Sequence, residues 1–212
     1  DDVPNFLEPK LRNLLPDPFV LKDMDKACRR LADAVERGEV VAIAGDYDVD
    51  GASSSALLKL FLDEVGGKSF IHIPERDDGY GPSIEVMPDF VKRGAKILVT
   101  VDCGVTAFDT ISAAKEVGLE AIVIDHHEAE AKLPAALAVV DPKRLDEDAD
   151  EKLRVLAAVG VVFLLVVGIN RELRERKFYQ KQAIAEPDAR KWLDLVALGT
   201  VCDIVPLTGL NR

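Results

Sequence analysis

The sequence predicts an α/β fold in which a parallel sheet is sandwiched by helices and is followed by a helical segment. Short apolar runs that suit buried strands alternate with stretches in which apolar residues recur at helical spacing. Strands separated by single helices require crossover connections, so the strands run parallel and helices cover both faces of the sheet. A chain of 212 residues, 48% of them hydrophobic, is long enough to bury one sizeable core. We therefore expect one compact soluble domain.

The predicted elements follow one another in a regular order. A proline-rich lead precedes a helix over residues 23–37, which ends at Gly38. Strands are predicted over residues 40–44, 69–73, 97–101 and 121–124, and the helices between them over residues 51–65, 84–93 and 107–117. Beyond Pro142 the periodicity is helical, over residues 152–176 and 187–198. The chain accordingly divides into a lead with the first helix (1–38), a parallel α/β core (39–142) and a helical part (143–212).

Hydropathy and cysteine spacing indicate the cellular setting. The longest apolar run, residues 155–169, is shorter than the roughly 18 to 20 residues that cross a bilayer, so we expect a buried helix and no membrane anchor. No basic stretch followed by an apolar one marks a secretory signal, and a cytoplasmic location is expected, although Asp1 indicates that the natural start lies upstream. The three cysteines, Cys28, Cys103 and Cys202, fit neither a disulfide framework nor a zinc motif and are expected to be small buried residues.

The net charge of −11 argues against a protein that coats DNA without sequence preference. Such binding depends on Lys and Arg that displace the counterions condensed on the phosphates. The objection is weaker if much of the negative charge is concentrated at a metal site, because bound divalent ions reverse the sign of the local field.

Acids and imidazoles directly follow three of the four predicted strands. These residues are Asp46, Asp48 and Asp50 after the first strand, Asp102 after the third, and Asp125, His126 and His127 after the fourth. Loops at the carboxyl ends of parallel strands lie side by side, and ligands of open sheets bind there. The carboxylates would repel one another strongly without a counter-charge. A carboxylate-rich set with few histidines suits Mn²⁺ or Mg²⁺ better than zinc, so a site for one of these ions is predicted.

Each motif has a structural alternative when it is taken alone. The three aspartates could form a solvated turn or open a calcium loop, but an EF-hand loop begun at Asp46 requires Glu at position 57, which is Leu57. Asp102 could cap a strand end, and the paired histidines could be structural. Ser53 and the two serines after it could hold an anion at a helix N-terminus or merely cap that helix. Only the coincidence of three motifs at equivalent strand ends favours a functional site.

Four motifs, in their order and approximate spacing, resemble the DHH phosphoesterase superfamily. They are G-D-Y-D-V-D-G from Gly45, V-D-C-G from Val101, D-H-H from Asp125, and L-G-T-V-C-D-I-V-P-L from Leu198. These motifs, the Gly-Tyr-Gly loop at 79–81 and the stretch 139–143 are most similar to the RecJ branch, which contains single-strand DNA exonucleases. Three positions depart from that pattern, since Ala is expected in place of Val49 and Cys202, and Asn in place of Asp141.

The resemblance implies two ions, Mn²⁺ or Mg²⁺, and a specific set of residues around them. The implied ligands are Asp46, Asp48, Asp50, Asp102, His126 and Asp203. His127 is expected to face the substrate phosphate, Asp125 to orient an imidazole, and Asp102 to be essential for catalysis. Asp203 follows from the resemblance alone, because periodicity places it only at the end of a helix.

The implied reaction is hydrolysis of phosphodiester bonds in single-stranded DNA, from the 5′ end to mononucleotides. Two ions activate a shared water and clamp the phosphoryl oxygens in such reactions. His127 and Arg76 are expected to stabilise the developing charge, and Tyr80 either stacks on a base or is an ordinary exposed loop aromatic. Lys143 and Arg144 are expected to track the DNA backbone. The basic residues within 171–181 are a further candidate, but the interleaved glutamates favour a solvated helix face.

Two other functions fit part of the sequence. A phosphodiesterase for short RNA oligonucleotides or cyclic dinucleotides suits the negative charge better. A non-catalytic scaffold of the same superfamily would have lost metal ligands that this chain retains.

The resemblance also implies further domains after residue 212. We therefore expect the chain alone to bind metal but to hold long DNA weakly. Single-strand-binding protein or a helicase are the expected partners of the full-length protein, besides the DNA itself.

Overall fold

Five strands form a single parallel sheet in the order β2-β1-β3-β4-β5. A computed structural model describes residues 7–8, 10–76 and 81–212, apart from the side chain at position 12. The strands are β1 (Val40–Gly45), β2 (Lys68–His72), β3 (Ala95–Val101), β4 (Glu120–Ile124) and β5 (Ala138–Val140). The register places Ile71, Ile43, Val99, Ile122 and Ala138 in one row across the sheet. The predicted fold class is confirmed.

Helices connect the strands and extend the chain after them. In the described part of the chain they are α1 (Leu11–Leu14), α2 (Met24–Arg37), α3 (Val49–Glu64), α4 (Met87–Lys92), α5 (Phe108–Glu116), α6 (Glu151–Arg154), α7 (Ala158–Glu175), α8 (Phe178–Gln182) and α9 (Leu193–Cys202). Short 3-10 turns occupy Pro18–Val20, Ile84–Val86, Ala189–Trp192 and Gly209–Asn211. None of these helices is long and apolar enough to span a membrane.

Alternating strand residues bury against two different helical layers. On one face, Ile43, Val99 and Ile122 belong to the largest core cluster, which also contains the apolar sides of α2, α3 and α7. On the other face, Ala44 and Leu98 pack with the smaller clusters that include α4 and α5. The apolar runs of β1, β3 and β4 are therefore strands that are buried on both faces, as parallel strands usually are, whereas the edge strand β2 is only partly buried.

Turn chemistry fixes several boundaries close to the predicted ones. Gly38 ends α2 with a φ of 65°, and its N–H bonds to the carbonyl oxygens of Ala34 and Val35. Glycine adopts this left-handed conformation without steric cost, which explains why it closes the helix. Asp48 caps α3, because its side chain accepts a hydrogen bond from the N–H of Gly51.

The structure corrects several predictions about individual elements. The helix expected over 152–176 is broken between α6 and α7, and the strand β5 was not predicted. Three residues are too few for a periodic signal in the sequence, and β5 is identified by its parallel pairing with β4. The helices expected over 84–93 and 187–198 each begin with a 3-10 turn. Cys28 and Cys103 are buried as expected, but Cys202 is exposed at the end of α9.

Candidate metal centre

The ends of neighbouring strands are tied together by backbone hydrogen bonds. The N–H of Asp46, just after β1, bonds to the carbonyl oxygen of Val101 at 3.3 Å. Asp102, just after β3, bonds in the same way to Ile124 at 3.0 Å, and Asp125, just after β4, to the end of β5 at 3.0 Å. Each predicted motif therefore begins at the point where one strand borders the next, and the acidic side chains share one crevice.

The side chains of these loops form three overlapping groups of potential ligand atoms. The groups are Asp46–Asp48–Asp102, Asp50–His126–Asp203 and Asp102–His126–His127, and within each the ligand atoms lie within 4.8 Å of one another. An octahedral ion with bonds near 2.1 Å separates adjacent ligand atoms by about 3 Å and opposite ones by about 4.2 Å. The limit of 4.8 Å is close to these separations, so the groups are compact enough to surround such an ion. Because Asp102 and His126 belong to two groups each, the groups form one continuous cluster, which suits two neighbouring ions.

His126 is oriented with its ligating nitrogen towards the carboxylates. Its Nδ1 lies 3.1 Å from the carbonyl oxygen of Leu156, which only accepts hydrogen bonds, so Nδ1 carries the proton. The other ring nitrogen, Nε2, faces Asp102 at 3.2 Å, Asp203 at 3.7 Å and Asp50 at 3.9 Å. A divalent cation between Nε2 and these carboxylates would be bound by the imidazole and would compensate their negative charge.

Asp50 is held at the N-terminus of α7. Its two carboxylate oxygens accept hydrogen bonds from the N–H groups of Ala158 and Val159, at 2.7 and 2.9 Å. Burial nevertheless dominates and raises the pKa of Asp50 to about 6, with the charge of Asp203 acting in the same direction. The break between α6 and α7 therefore serves this site, since a continuous helix would have used these N–H groups internally.

Asp102 has the most perturbed acidity of the crevice. Burial, followed by the charges of Asp50 and Asp48, raises the pKa of Asp102 to about 10. Its φ of 60° is uncommon for a residue with a side chain, and it turns the chain immediately after β3. Asp46 is also buried, which raises its pKa, and its Oδ1 accepts no hydrogen bond from the described residues. Divalent cations would reverse both pKa shifts and supply the missing partner.

His127 and Asp125 form a second polar pair at the crevice. Asp125 is fully buried and accepts from the N–H groups of Val105 and His126, at 2.9 and 2.8 Å, and from His127 Nδ1 at 2.7 Å. Although burial raises the pKa of Asp125, these hydrogen bonds outweigh it and lower the pKa below its usual value. The bond to Asp125 raises the pKa of His127 to about 9. His127 is thus a cation at neutral pH, and its half-exposed ring faces solvent.

Two of the three predicted substrate-binding residues, Arg76 and Ser53, line one groove beside the metal centre. The guanidinium of Arg76 lies over the ring of Tyr47, 5.2 Å from its centroid, and is exposed. The same groove is lined by Asp48 and by the buried Ser53 in the first turns of α3. Tyr80 lies outside the described residues, so its predicted stacking on a base stays a prediction.

The structure contradicts the expected DNA-tracking role of Arg144. Its side chain is buried, pairs with Asp23 and Asp146 at 2.9 Å each, and donates to the carbonyl oxygen of Val139 at 2.6 Å. The guanidinium joins the start of α2 to β5 and is unavailable to a phosphate. In the cluster within 171–181, the three arginines are also paired with acids, which lie on other segments of the fold.

Side-chain patterns in the sequence do not reveal the contributions of the main chain. The carbonyl of Leu156 and the N–H groups of Ala158 and Val159 orient His126 and Asp50, but no residue type marks them. Asp203 joins the site from the end of α9, where its carboxylate is half-buried. Periodicity gave no reason to select it, whereas the motif resemblance did.

Residues 40–200 match the family model described as DHH family, N-terminal domain. The chain is 40% identical over 208 residues to the single-stranded-DNA-specific exonuclease RecJ of Dickeya dadantii, covering 97% of this chain and 36% of that protein. The chain is 38% identical to the protein of the same name from Escherichia coli, again covering 97% of this chain and 36% of that protein. The chain therefore spans about a third of the length of these curated relatives.

Solved structures of similar proteins contain metal. A crystal structure of exonuclease RecJ bound to manganese matches with a TM-score of 0.75 and 32% identity, over 94% of this chain and 46% of that one. The RecJ of Thermus thermophilus in complex with Mn²⁺ matches with a TM-score of 0.72 and 30% identity, over 97% and 27% of the two chains.

Proposed function

Because the chain belongs to the DHH family, we propose that it is the catalytic domain of a metal-dependent phosphodiesterase that hydrolyses single-stranded DNA. The observation that carries the proposal is the convergence of the Asp46–Asp48–Asp102 and Asp50–His126–Asp203 groups at the same strand ends, where His126 Nε2 lies 3.2 Å from Asp102. The names of the similar proteins, single-stranded-DNA-specific exonucleases, support the choice of substrate. Cleavage from the 5′ end to mononucleotides in DNA repair and recombination is the corresponding reaction.

We assign two Mn²⁺ or Mg²⁺ ions to the crevice, in keeping with the manganese-bound structures of similar proteins. The residues that would hold them are Asp46, Asp48, Asp50, Asp102, His126 and Asp203. When bound, the ions supply a hydroxide nucleophile at neutral pH and neutralise charge on the phosphoryl oxygens.

The chain itself supplies a positioned cation next to that site. With Nδ1 of His127 bonded to Asp125, Nε2 is the ring nitrogen that would donate to a phosphate oxygen of the substrate. Donation to the phosphoryl oxygen in the transition state is worth more there than in water, because the group is already oriented. Asp125 keeps the imidazole protonated and fixed, and its own charge is satisfied by main-chain N–H groups.

Substrate contacts would come first from the groove beside Asp48. Its apolar wall and the paired Tyr47 and Arg76 suit a nucleotide, with stacking for the base and a guanidinium for the phosphate. Lys143 remains a candidate for the backbone, since its side chain is partly exposed near Glu128. Because long DNA is held mainly by cations along its backbone, we expect further domains of the full-length protein to supply the rest of the grip.

The full-length protein would act in the cytoplasm. Single-strand-binding protein or a helicase would be its partners there. These assignments extend the catalytic proposal and depend on it.

Manganese-dependent digestion of single-stranded DNA labelled at either end tests the proposal. We expect mononucleotides to be released first from the 5′ label, and Asp102→Ala to lower the rate at least a thousandfold, or about 4 kcal/mol of transition-state stabilisation. An equal rate in the variant, or no cleavage by the full-length protein, would refute the proposal.

The net charge of −11 favours a second candidate, a phosphodiesterase for short oligoribonucleotides or cyclic dinucleotides. Small substrates need no extended cationic surface. A dinucleotide competing with a labelled long strand separates the two functions, because the small-substrate enzyme prefers the dinucleotide.

A further inference from the structure

Gly199 connects two residues of the candidate metal centre. It is buried in α9, one turn before Asp203, and its carbonyl oxygen accepts the hydrogen bond from the Asp203 N–H at 2.9 Å. The position of Asp203 is thus set by the position of α9 at Gly199.

The missing side chain of Gly199 lets α9 approach Asp50 closely. A Cβ at this position would lie 2.8 Å from Asp50 Oδ1 and 2.8 Å from Val159 Cγ1. Both distances are well below the roughly 3.5 Å at which non-bonded carbon atoms make favourable contact. The backbone at Gly199 is ordinary helix, where alanine is intrinsically better than glycine by about 1 kcal/mol. Close packing, and not backbone conformation, is therefore what requires glycine.

Asp50 cannot move away from an added methyl group without losing its partners. Its side chain is buried, and both of its oxygens are bonded to the main-chain N–H groups of Ala158 and Val159. An added Cβ would instead displace α9, and Asp203 would move with it. The ligand atoms of Asp50, His126 and Asp203 now lie within 4.8 Å, a spacing that an outward shift of α9 would destroy.

We propose that Gly199 is a positioning residue whose lack of a side chain sets the separation of Asp50 and Asp203, and with it the cation affinity of the Asp50–His126–Asp203 group. This inference rests on the proposed metal centre and assigns one of its two sites a determinant outside the ligands. The Asp46–Asp48–Asp102 group shares no member with that group, and none of the three atoms nearest to the added Cβ belongs to it. We therefore expect the Asp46–Asp48–Asp102 group to keep its cation affinity when Gly199 is replaced by alanine.

Titration calorimetry with Mn²⁺ alone tests the inference on the metal-free full-length protein. The wild type is expected to bind two ions. Gly199→Ala should bind one ion with unchanged affinity and the other at least about tenfold more weakly, a loss typical of disturbed support around a metal ligand. Electron paramagnetic resonance should show a coupled two-manganese spectrum for the wild type and an isolated-ion spectrum for the variant at two equivalents.

A second variant removes the closest contact with Val159, at Cγ1, while the contact with Asp50 and the 3.1 Å contact with Val159 Cβ remain. The substitution Val159→Ala shortens the Val159 side chain but keeps the main-chain N–H that bonds to Asp50. The single variant Val159→Ala measures how this shortening alone affects Mn²⁺ binding. In Gly199→Ala/Val159→Ala, the close contact with Asp50 persists, so one ion should still bind weakly. Melting curves without metal check folding, and the double variant carries the comparison if Gly199→Ala does not fold.

Three outcomes would overturn the inference. Two ions bound at wild-type affinity by Gly199→Ala would show that α9 tolerates the methyl group. Restored affinity in the double variant would show that only packing against Val159 matters. A wild type that binds no Mn²⁺ would remove the proposed function as well, whereas either of the first two results leaves it standing.

Discussion

His126 donates a hydrogen bond from Nδ1 to the carbonyl oxygen of Leu156, at 3.1 Å. This bond fixes the tautomer in which Nε2 faces the carboxylates, 3.2 Å from Asp102. Leu156 lies in the break between α6 and α7, two residues before the first N–H that holds Asp50. One short irregular segment thus orients ligands from two different strand ends.

Asp102→Asn should stabilise the metal-free protein and reduce its response to Mn²⁺, because Asp102 belongs to two of the three ligand groups. Burial and the charges of Asp50 and Asp48 raise the pKa of Asp102 to about 10, so at neutral pH this acid must take up a proton when the metal-free chain folds. The amide removes that cost, and the metal-free melting temperature should rise. In the wild type, Mn²⁺ at a hundred times its dissociation constant should raise the free energy of unfolding by about 2.7 kcal/mol. The melting temperature should then rise by roughly 5 to 10 °C. Thermal melts with and without Mn²⁺ measure both effects. A wild-type shift in the variant would show that Asp102 is not a ligand.

Asp125→Asn should make catalysis sensitive to pH near neutrality. The hydrogen bond with Asp125 raises the pKa of His127 to about 9, so the imidazole stays protonated up to that pH. An amide cannot stabilise the cation, and with a pKa near 6.5 the protonated fraction would fall roughly twentyfold between pH 6 and pH 8. Profiles of kcat/KM against pH measure this, with His127→Gln as a control that lacks the titrating group. Profiles of the same shape in wild type and Asp125→Asn would contradict the role of the pair.

Asp141→Asn should stabilise the metal-free protein at neutral and alkaline pH. Burial raises the pKa of Asp141 to about 6, above its value in the unfolded chain, so the folded state holds the proton more tightly. This acid therefore lowers the stability of the wild type as pH rises from about 4 to 6, by at most about 3 kcal/mol. Asp141 accepts a hydrogen bond from the N–H of Lys143 at 2.7 Å. An asparagine carries no charge and can still accept this hydrogen bond through its side-chain oxygen. Urea unfolding at pH 4.5 and pH 8 should show a gain that is about 2 kcal/mol larger at the higher pH, and an equal gain at both would be inconsistent with titration.

Arg144→Ala should lower stability without weakening DNA binding. Losing the buried guanidinium leaves Asp23 with less compensation and removes a bond to β5, at a cost of about 2 kcal/mol. Lys143→Ala is the matched control, because the Lys143 side chain is accessible. This variant should lower the magnitude of the slope of log binding constant against log salt concentration by the amount that one phosphate contact contributes, about 1. Unfolding curves and binding at several salt concentrations distinguish the two variants. A loss of affinity in Arg144→Ala at unchanged stability would restore its predicted DNA contact.

The order of strands and helices was easier to predict from the sequence than the details of the site. Strands β1, β3 and β4 are apolar runs that end in acids, so their parallel arrangement predicted that Asp46, Asp102 and His126 would meet. The contribution of Asp203 depends on the packing of α9, which periodicity does not encode. The prediction for Arg144 was wrong because charge alone does not show that a guanidinium is buried between two acids.

Anomalous diffraction at the manganese absorption edge, from crystals grown with Mn²⁺, tests the central claim most directly. We predict two peaks roughly 3.5 to 4 Å apart in the crevice, bounded by Asp102 and His126. No peak there, or peaks held by other residues, would contradict the assignment of a two-metal centre to these strand ends.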